Sequence, residues 1–161
     1  MKATRMLAYT GVGAALVTAA TIVIQIPSPQ TKGYINLGDT LIFTIAMLFG
    51  SKIGGLAGGI GSALADIITG YAHWAPFTLV IKGIEGFIVG YFAYNPESIY
   101  RKLPFLILAG LEMVIGYFLA EIILYGIGPA LVEIPGNCFQ AGSGIVISIL
   151  IISALKRIKK A

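Results

Sequence analysis

The sequence predicts an all-α integral membrane protein of six transmembrane helices, with both termini in the cytoplasm. Three observations predict it. First, 57% of the residues are hydrophobic, only 11% are charged, and the mean hydropathy is +0.90. A soluble domain carries roughly 25% charged residues, so these charges are too few to cover a water-facing surface. Second, the apolar stretches approach spanning length, roughly 20 residues each. Six of them would use most of the 161 residues, so 1–161 reads as one membrane domain with no room for a soluble catalytic one. Third, with the N-terminus inside, nine of the eleven basic residues fall at inner helix ends: Lys2, Arg5, Lys52, Arg101, Lys102, Lys156, Arg157, Lys159 and Lys160. Only Lys32 lies on the outer side, and Lys82 lies within a helix. This asymmetry sets membrane orientation and explains the formal charge of +4 better than nucleic-acid binding does.

The first helix is expected at about Thr4 to Ile26. Met1 to Arg5 followed by an apolar run resembles a signal peptide, but the run is long for one and more spans follow. The segment PSPQTKGYINLGD reads as a loop, broken by Pro27, Pro29, Gly33 and Gly38. A short second helix follows from Asp39 to Phe49, with Asp39 as its natural N-cap. The third runs from Ile53 to Gly70, the fourth from Trp74 to Tyr94, and the fifth from Leu103 to Tyr125. The sixth runs from Pro135 to Ile158, with Pro135 suited to a first helical turn.

Ionisable groups inside spans are costly without a partner and are therefore informative. They are Asp66, Lys82, Glu85, Glu112 and Glu121, with Asp39 at the mouth of the second helix. Trp74, Thr78, Lys82 and Glu85 share one helical face, flanked by Phe77 and Ile81. An aromatic mouth leading to a lysine suits a small planar ligand. The structural alternative is an interfacial Trp anchor plus a Lys–Glu pair joining helices. Glu121 shares a face with Tyr117 and Tyr125, whereas Glu112 points the opposite way, toward Lys82 or an interface. Asn137 and Gln140 suit heterocycle edges or helix–helix hydrogen bonds. Tyr34 and Asn36 lie in the outer loop, and Phe139 is a further candidate for a stacking wall. His73 is the only histidine and Cys138 the only cysteine, so neither a metal site nor a bound cofactor is expected. No nucleotide-binding loop, HExxH or nucleophile triad occurs. Gly11, Ala15 and Ala19 form a small-residue stripe on the first helix, and two glycine-rich stripes mark the third. Such stripes allow close helix approach, within the bundle or to another protein.

The order of motifs is specific: LGD entering the second helix, FG-K-GG at the next turn, G-ALAD on the third helix, then APFT and KG-EG on the fourth. Tyr34 to Gly90 resembles the substrate-binding S components of energy-coupling factor (ECF) vitamin transporters, in the riboflavin-type and hydroxymethylpyrimidine-type subgroup. The resemblance implies a multi-pass protein of a prokaryotic plasma membrane, surrounded by lipid. It implies capture at the outer face of a small heteroaromatic vitamin or precursor, with hydroxymethylpyrimidine or a pyridoxine-like ring ahead of riboflavin. It implies partners as well: a membrane coupling subunit, met through Gly11, Ala15 and Ala19, and two cytoplasmic ATPases, this chain having no ATPase of its own. Two other readings stay open on residues alone: an intramembrane enzyme using buried carboxylates, and a small structural membrane protein.

Overall fold

The computed structural model describes residues 3–94, 98 and 101–158. Lys2, Lys159 and Lys160, counted above for orientation, lie outside the described residues. Those residues form six helices: α1 (Ala3–Val23), α2 (Gly38–Phe49), α3 (Ser51–Ile68), α4 (Ala75–Phe92), α5 (Leu103–Tyr125) and α6 (Ile127–Ile158). Between α1 and α2 lies one antiparallel hairpin, β1 (Gln25–Ser28) and β2 (Gly33–Asn36).

The helix number is as expected, but six spans are not found. Four helices, α1, α4, α5 and α6, are long and apolar enough to cross a membrane. α2 has 12 residues, a rise of about 18 Å against a hydrocarbon core of about 30 Å. α3 has 18 residues, but Lys52, Asp66 and five glycines dilute it.

Two further expectations are corrected. The segment read as a loop pairs with itself, Gln25 opposite Asn36 and Ser28 opposite Gly33, with Lys32 at positive φ (48°) in the turn. Its strands have four residues each, too short to show alternation, and both are edges, where a proline such as Pro27 is tolerated. α6 starts at Ile127, so Pro135 lies inside it rather than in its first turn. A proline there removes one backbone hydrogen bond, which membrane helices tolerate where neighbours compensate.

The closest packing joins α3 to α4. A Cβ added at Gly54 would lie 2.8 Å from the Gly86 carbonyl oxygen, one at Gly58 2.8 Å from that of Lys82, and one at Gly59 2.6 Å from that of Leu79. From the other side, a Cβ on Gly86 would collide with the Gly54 carbonyl. Both glycine stripes of α3 are therefore spent inside the bundle. Gly50 (φ 87°) alone turns the chain from α2 to α3, and Gly126 (φ 86°) alone turns it from α5 to α6. A side chain disfavours that conformation.

α1 packs Gly13, Ala14, Val17 and Thr21 inward, and the Thr18 hydroxyl donates to the Gly61 carbonyl at 2.8 Å. Gly11, Ala15 and Ala19 lie on the exposed side. The main apolar cluster gathers Val17, Ile42, Phe43, Met47, Ile53 and Leu106. A smaller one, Ile81, Met113, Val114 and Ala141, joins α4, α5 and α6.

Candidate functional site

The polar side chains collect at one end of the bundle, where α1, α3 and α5 finish and α4 and α6 begin. A cavity opens there under the hairpin. α3 contributes Ser62 and Asp66, Trp74 stands at the N-cap of α4, and α4 contributes Thr78 and Lys82. Tyr117 and Glu121 come from α5, and Glu133, Asn137 and Gln140 from α6. Thr21 of α1 and Thr31, Gly33, Tyr34 and Asn36 around the hairpin complete the lining. About 30 Å³ of the space admits water, enough for one or two molecules.

The hairpin is tied to three helices. The Tyr34 hydroxyl donates to Asp66 Oδ1 at 2.5 Å, and the Ser28 hydroxyl to Glu133 Oε2 at 2.9 Å. The Asn36 backbone N–H donates to Gln140 Oε1 at 2.8 Å. Trp74 Nε1 reaches the carbonyls of Thr31 (3.3 Å) and Lys32 (3.2 Å) in the turn. Burial, and then the Asp66 carboxylate, push the Tyr34 phenol above its ordinary range, so it stays a donor. Aromatic rings form a wall on this side: the Trp74 centroid lies 5.8 Å from Tyr117 and 6.1 Å from Phe77.

Lys82 forms the floor. It is 1% exposed and pairs with Asp39 and, at 3.0 Å, with Glu85. Its ammonium also lies 5.6 Å from the centroid of Tyr117. Gln140 Nε2 donates to the second Asp39 oxygen at 3.2 Å. Asp39 is therefore not the N-cap of α2. Leu37 holds that position without a side-chain bond, and Asn36 Oδ1 accepts the Gly38 N–H at 2.8 Å. A buried carboxylate on α2 that meets a buried lysine of α4 gains more from the ion pair than from a cap.

Ten of the thirteen residues expected at a ligand site thus line one cavity. Asp39 and Glu85 lie behind Lys82, and Phe77 backs Trp74. Phe139 points outward, 67% exposed, so it forms no wall. Tyr125 meets His73 Nε2 at 2.9 Å and lies outside the cavity lining. Glu112 has no ion pair with Lys82 among the described residues.

Sequence reasoning missed Thr21, Thr31, Gly33, Ser62 and Glu133. Glu133 was findable. It lies four residues before Asn137 and seven before Gln140, the same helical face, but a helix started at Pro135 leaves it in a loop.

A helical membrane bundle that closes one end over a buried polar and aromatic cavity defines a solute-binding membrane protein. Comparison narrows this. The chain belongs to the family described as ECF-type riboflavin transporter, S component, whose model matches residues 1–157. It is 32% identical over 148 residues to the thiamine precursor transporter HmpT of Lactococcus lactis, covering 89% of this chain and 85% of that one. It is 50% identical over 131 residues to a Pyrococcus woesei protein described as uncharacterized, covering 81% and 88%. The crystal structure of FolT bound with folic acid superposes with a TM-score of 0.66 at 20% identity, over 91% of this chain and 93% of that one, and so shares the fold. The chain is a multi-pass membrane protein and the substrate-binding component of a transporter for a vitamin-like solute, not an enzyme. S components of this family work with an ECF module.

Proposed function

We propose that residues 1–161 form one membrane domain, with both termini cytoplasmic, that captures a single-ring heteroaromatic vitamin or precursor at the outer face. Hydroxymethylpyrimidine or a pyridoxine-like compound is the substrate, ahead of riboflavin. A membrane coupling subunit docks on Gly11, Ala15 and Ala19, and two cytoplasmic ATPases supply the energy.

One observation carries the substrate reading: the make-up of the cavity under the hairpin. It holds no arginine, and its one lysine is already met by Asp39 and Glu85. A phosphate would call for a free basic cluster. Trp74 and Tyr117 offer ring faces, while Asp66, Glu121 and Asn137 offer hydrogen-bonding edges. The relative named a thiamine precursor transporter supports the same class.

The test is mass spectrometry of small molecules carried by the purified chain, followed by calorimetry. Pyridoxine, hydroxymethylpyrimidine, riboflavin and a phosphorylated analogue are compared, and ATP hydrolysis is assayed in parallel. Saturable 1:1 binding of a single-ring compound without ATPase activity is expected. Best binding by the phosphorylated compound, or hydrolysis by the isolated chain, overturns the reading.

A further inference from the structure

Away from the cavity, the opposite end of the bundle carries a trough that helix packing leaves unfilled. It follows the outer side of the α3–α4 seam as two adjoining hollows of about 480 and 490 Å³. Met6, Ser51 and Lys52 line both, so the hollows are continuous. Gly55, Gly59 and Gly83 floor the first, between Leu56 and Phe87, which are each about half exposed. The second continues past Tyr91 and Tyr94.

The seam accounts for two of the three floor glycines. A Cβ at Gly55 would lie 3.0 Å from the Gly83 carbonyl oxygen, and one at Gly59 2.6 Å from that of Leu79. Gly83 differs, because a Cβ there meets nothing nearer than the Gly55 carbonyl oxygen at 3.7 Å. The frame would accept a side chain at 83, and that side chain would occupy the trough. A glycine inside a helix costs about 1 kcal/mol against alanine, so an open floor is kept here at a cost.

Lys52 stands at the mouth. It is exposed, and among the described residues no carboxylate pairs with it. α3 has no acidic residue in its first turn, and Arg5 adjoins Met6 on α1. Tyr91 and Tyr94 bring amphipathic rings to the same end, as membrane interfaces favour. An apolar channel that ends at an unpaired cation beside interfacial tyrosines complements an acyl chain joined to a phosphate. The cytoplasmic leaflet supplies anionic lipids, which basic residues near the surface attract.

We propose that the trough binds one anionic phospholipid of the cytoplasmic leaflet, its phosphate on Lys52 and an acyl chain over Gly83 between Leu56 and Phe87. The choice of leaflet rests on the proposed orientation of the termini. The substrate reading is not needed. A zwitterionic lipid places its own ammonium beside Lys52 and gains less.

The experiment is native mass spectrometry of the full chain in detergent, titrated with phosphatidylglycerol or phosphatidylcholine of identical chains. One phosphatidylglycerol is expected to bind about fivefold more tightly, the scale of one basic residue at an anionic surface. Lys52→Gln should bring the two lipids close to equal affinity. Gly83→Leu should weaken both about tenfold or more by filling the channel, while melting without added lipid stays as in the parent. Gly142→Leu, on a part of α6 where a Cβ meets nothing within 4 Å, should bind lipid like the parent. Glycerol 3-phosphate, a headgroup without a chain, should not compete. Lys52 is exposed, so its variant keeps the test valid even if Gly83→Leu melts early. Equal affinity of the parent for the two lipids overturns the inference, as does competition by glycerol 3-phosphate. Undiminished lipid binding by Gly83→Leu overturns it too, and if that variant also fails to join the coupling subunit, the trough belongs to a protein partner. Vitamin binding, measured alongside, should be unchanged in every variant, so the lipid inference and the substrate reading fail separately.

Discussion

Between α3 and α4 the contact is backbone on backbone, through Gly54, Gly58, Gly59 and Gly86. α5 and α6 meet differently, with Gly110 against Ala141 and Asn137 against Glu121 through side chains. At these four glycines the first pair has no side chains of its own to adjust. It fixes the distance between Asp66 and Lys82, one on each helix. The second pair brings Glu121, with one oxygen unpaired, and the amides of Asn137 and Gln140 to the cavity lining. One half is a frame, and the other, on the proposed function, recognises the ligand.

Substitutions should separate the two halves in order of size. The largest effect is expected in the frame. Gly86→Val drives a side chain into the Gly54 carbonyl, where neither backbone can yield, and should cost more than about 3 kcal/mol. Thermal unfolding in detergent measures it, with Gly142→Ala as the control. A Cβ at Gly142 meets nothing within 4 Å. A Gly86→Val protein that melts like the parent would show that the seam is not tight.

Next comes the ion cluster linking frame to cavity. Lys82→Ala strands Asp39 and Glu85 and should cost about 3–5 kcal/mol. Adding Asp39→Asn to that variant should recover part of the loss, because one stranded charge disappears. No recovery would mean that Lys82 acts mainly by filling space.

In the reading half, Glu121→Ala should weaken ligand binding about ten- to a hundredfold. Without ligand its melting should stay close to that of the parent, since the carboxylate has only one weak partner. A large loss of stability with unchanged affinity would reverse the roles assigned here.

Ala15→Trp should change neither half. Ala15 is exposed on α1, so melting and binding should remain within about 0.5 kcal/mol of the parent. Transport measured with the complete ECF module should stop, because only close helix approach is lost. Normal transport would remove Gly11, Ala15 and Ala19 from the coupling surface.

The smallest effect is at the opposite end, just before α5. Lys102 is buried there with Met47 Sδ at 3.4 Å and no carboxylate among the described residues. Burial, and then Lys156, lower its pKa to about 8 from the ordinary 10.5. Between those values the unfolded chain binds more protons than the folded one, so stability should rise with pH across the window. Below about pH 8 the full cost of the buried ammonium is present. Melting at pH 7 and pH 10, compared with Lys102→Met, isolates this. A gain equal in both proteins would assign it to other groups.

Much of this could be read in the sequence. The expected helix from Leu103 to Tyr125 coincides with the observed α5. The face Trp74, Thr78, Lys82 and Glu85 is buried as its spacing implied. The failures share one physical cause: local signals were given meanings that long-range contacts overrode. Asp39 looked like a cap until Lys82 was placed beside it. Pro135 looked like a helix start, which hid Glu133. The hairpin has no periodicity of its own, and its stability comes from Asp66, Glu133, Gln140 and Trp74, distant in sequence. The stripe Gly11, Ala15 and Ala19 resembled those of α3, and only packing separates the exposed stripe from the buried ones.

The four ties that hold the hairpin bear on residence time. A space that admits only one or two waters must widen before a ring can pass. If that route lies under the hairpin, the bonds from Tyr34, Ser28, Asn36 and Trp74 break together. At about 1 kcal/mol net for each hydrogen bond, the open form would be populated at roughly one part in a thousand. Escape of a bound ligand would slow by a similar factor at unchanged intrinsic contacts. A subunit closed in this way can hold a scarce nutrient while it waits for a partner, and the length of that wait is written in four hydrogen bonds.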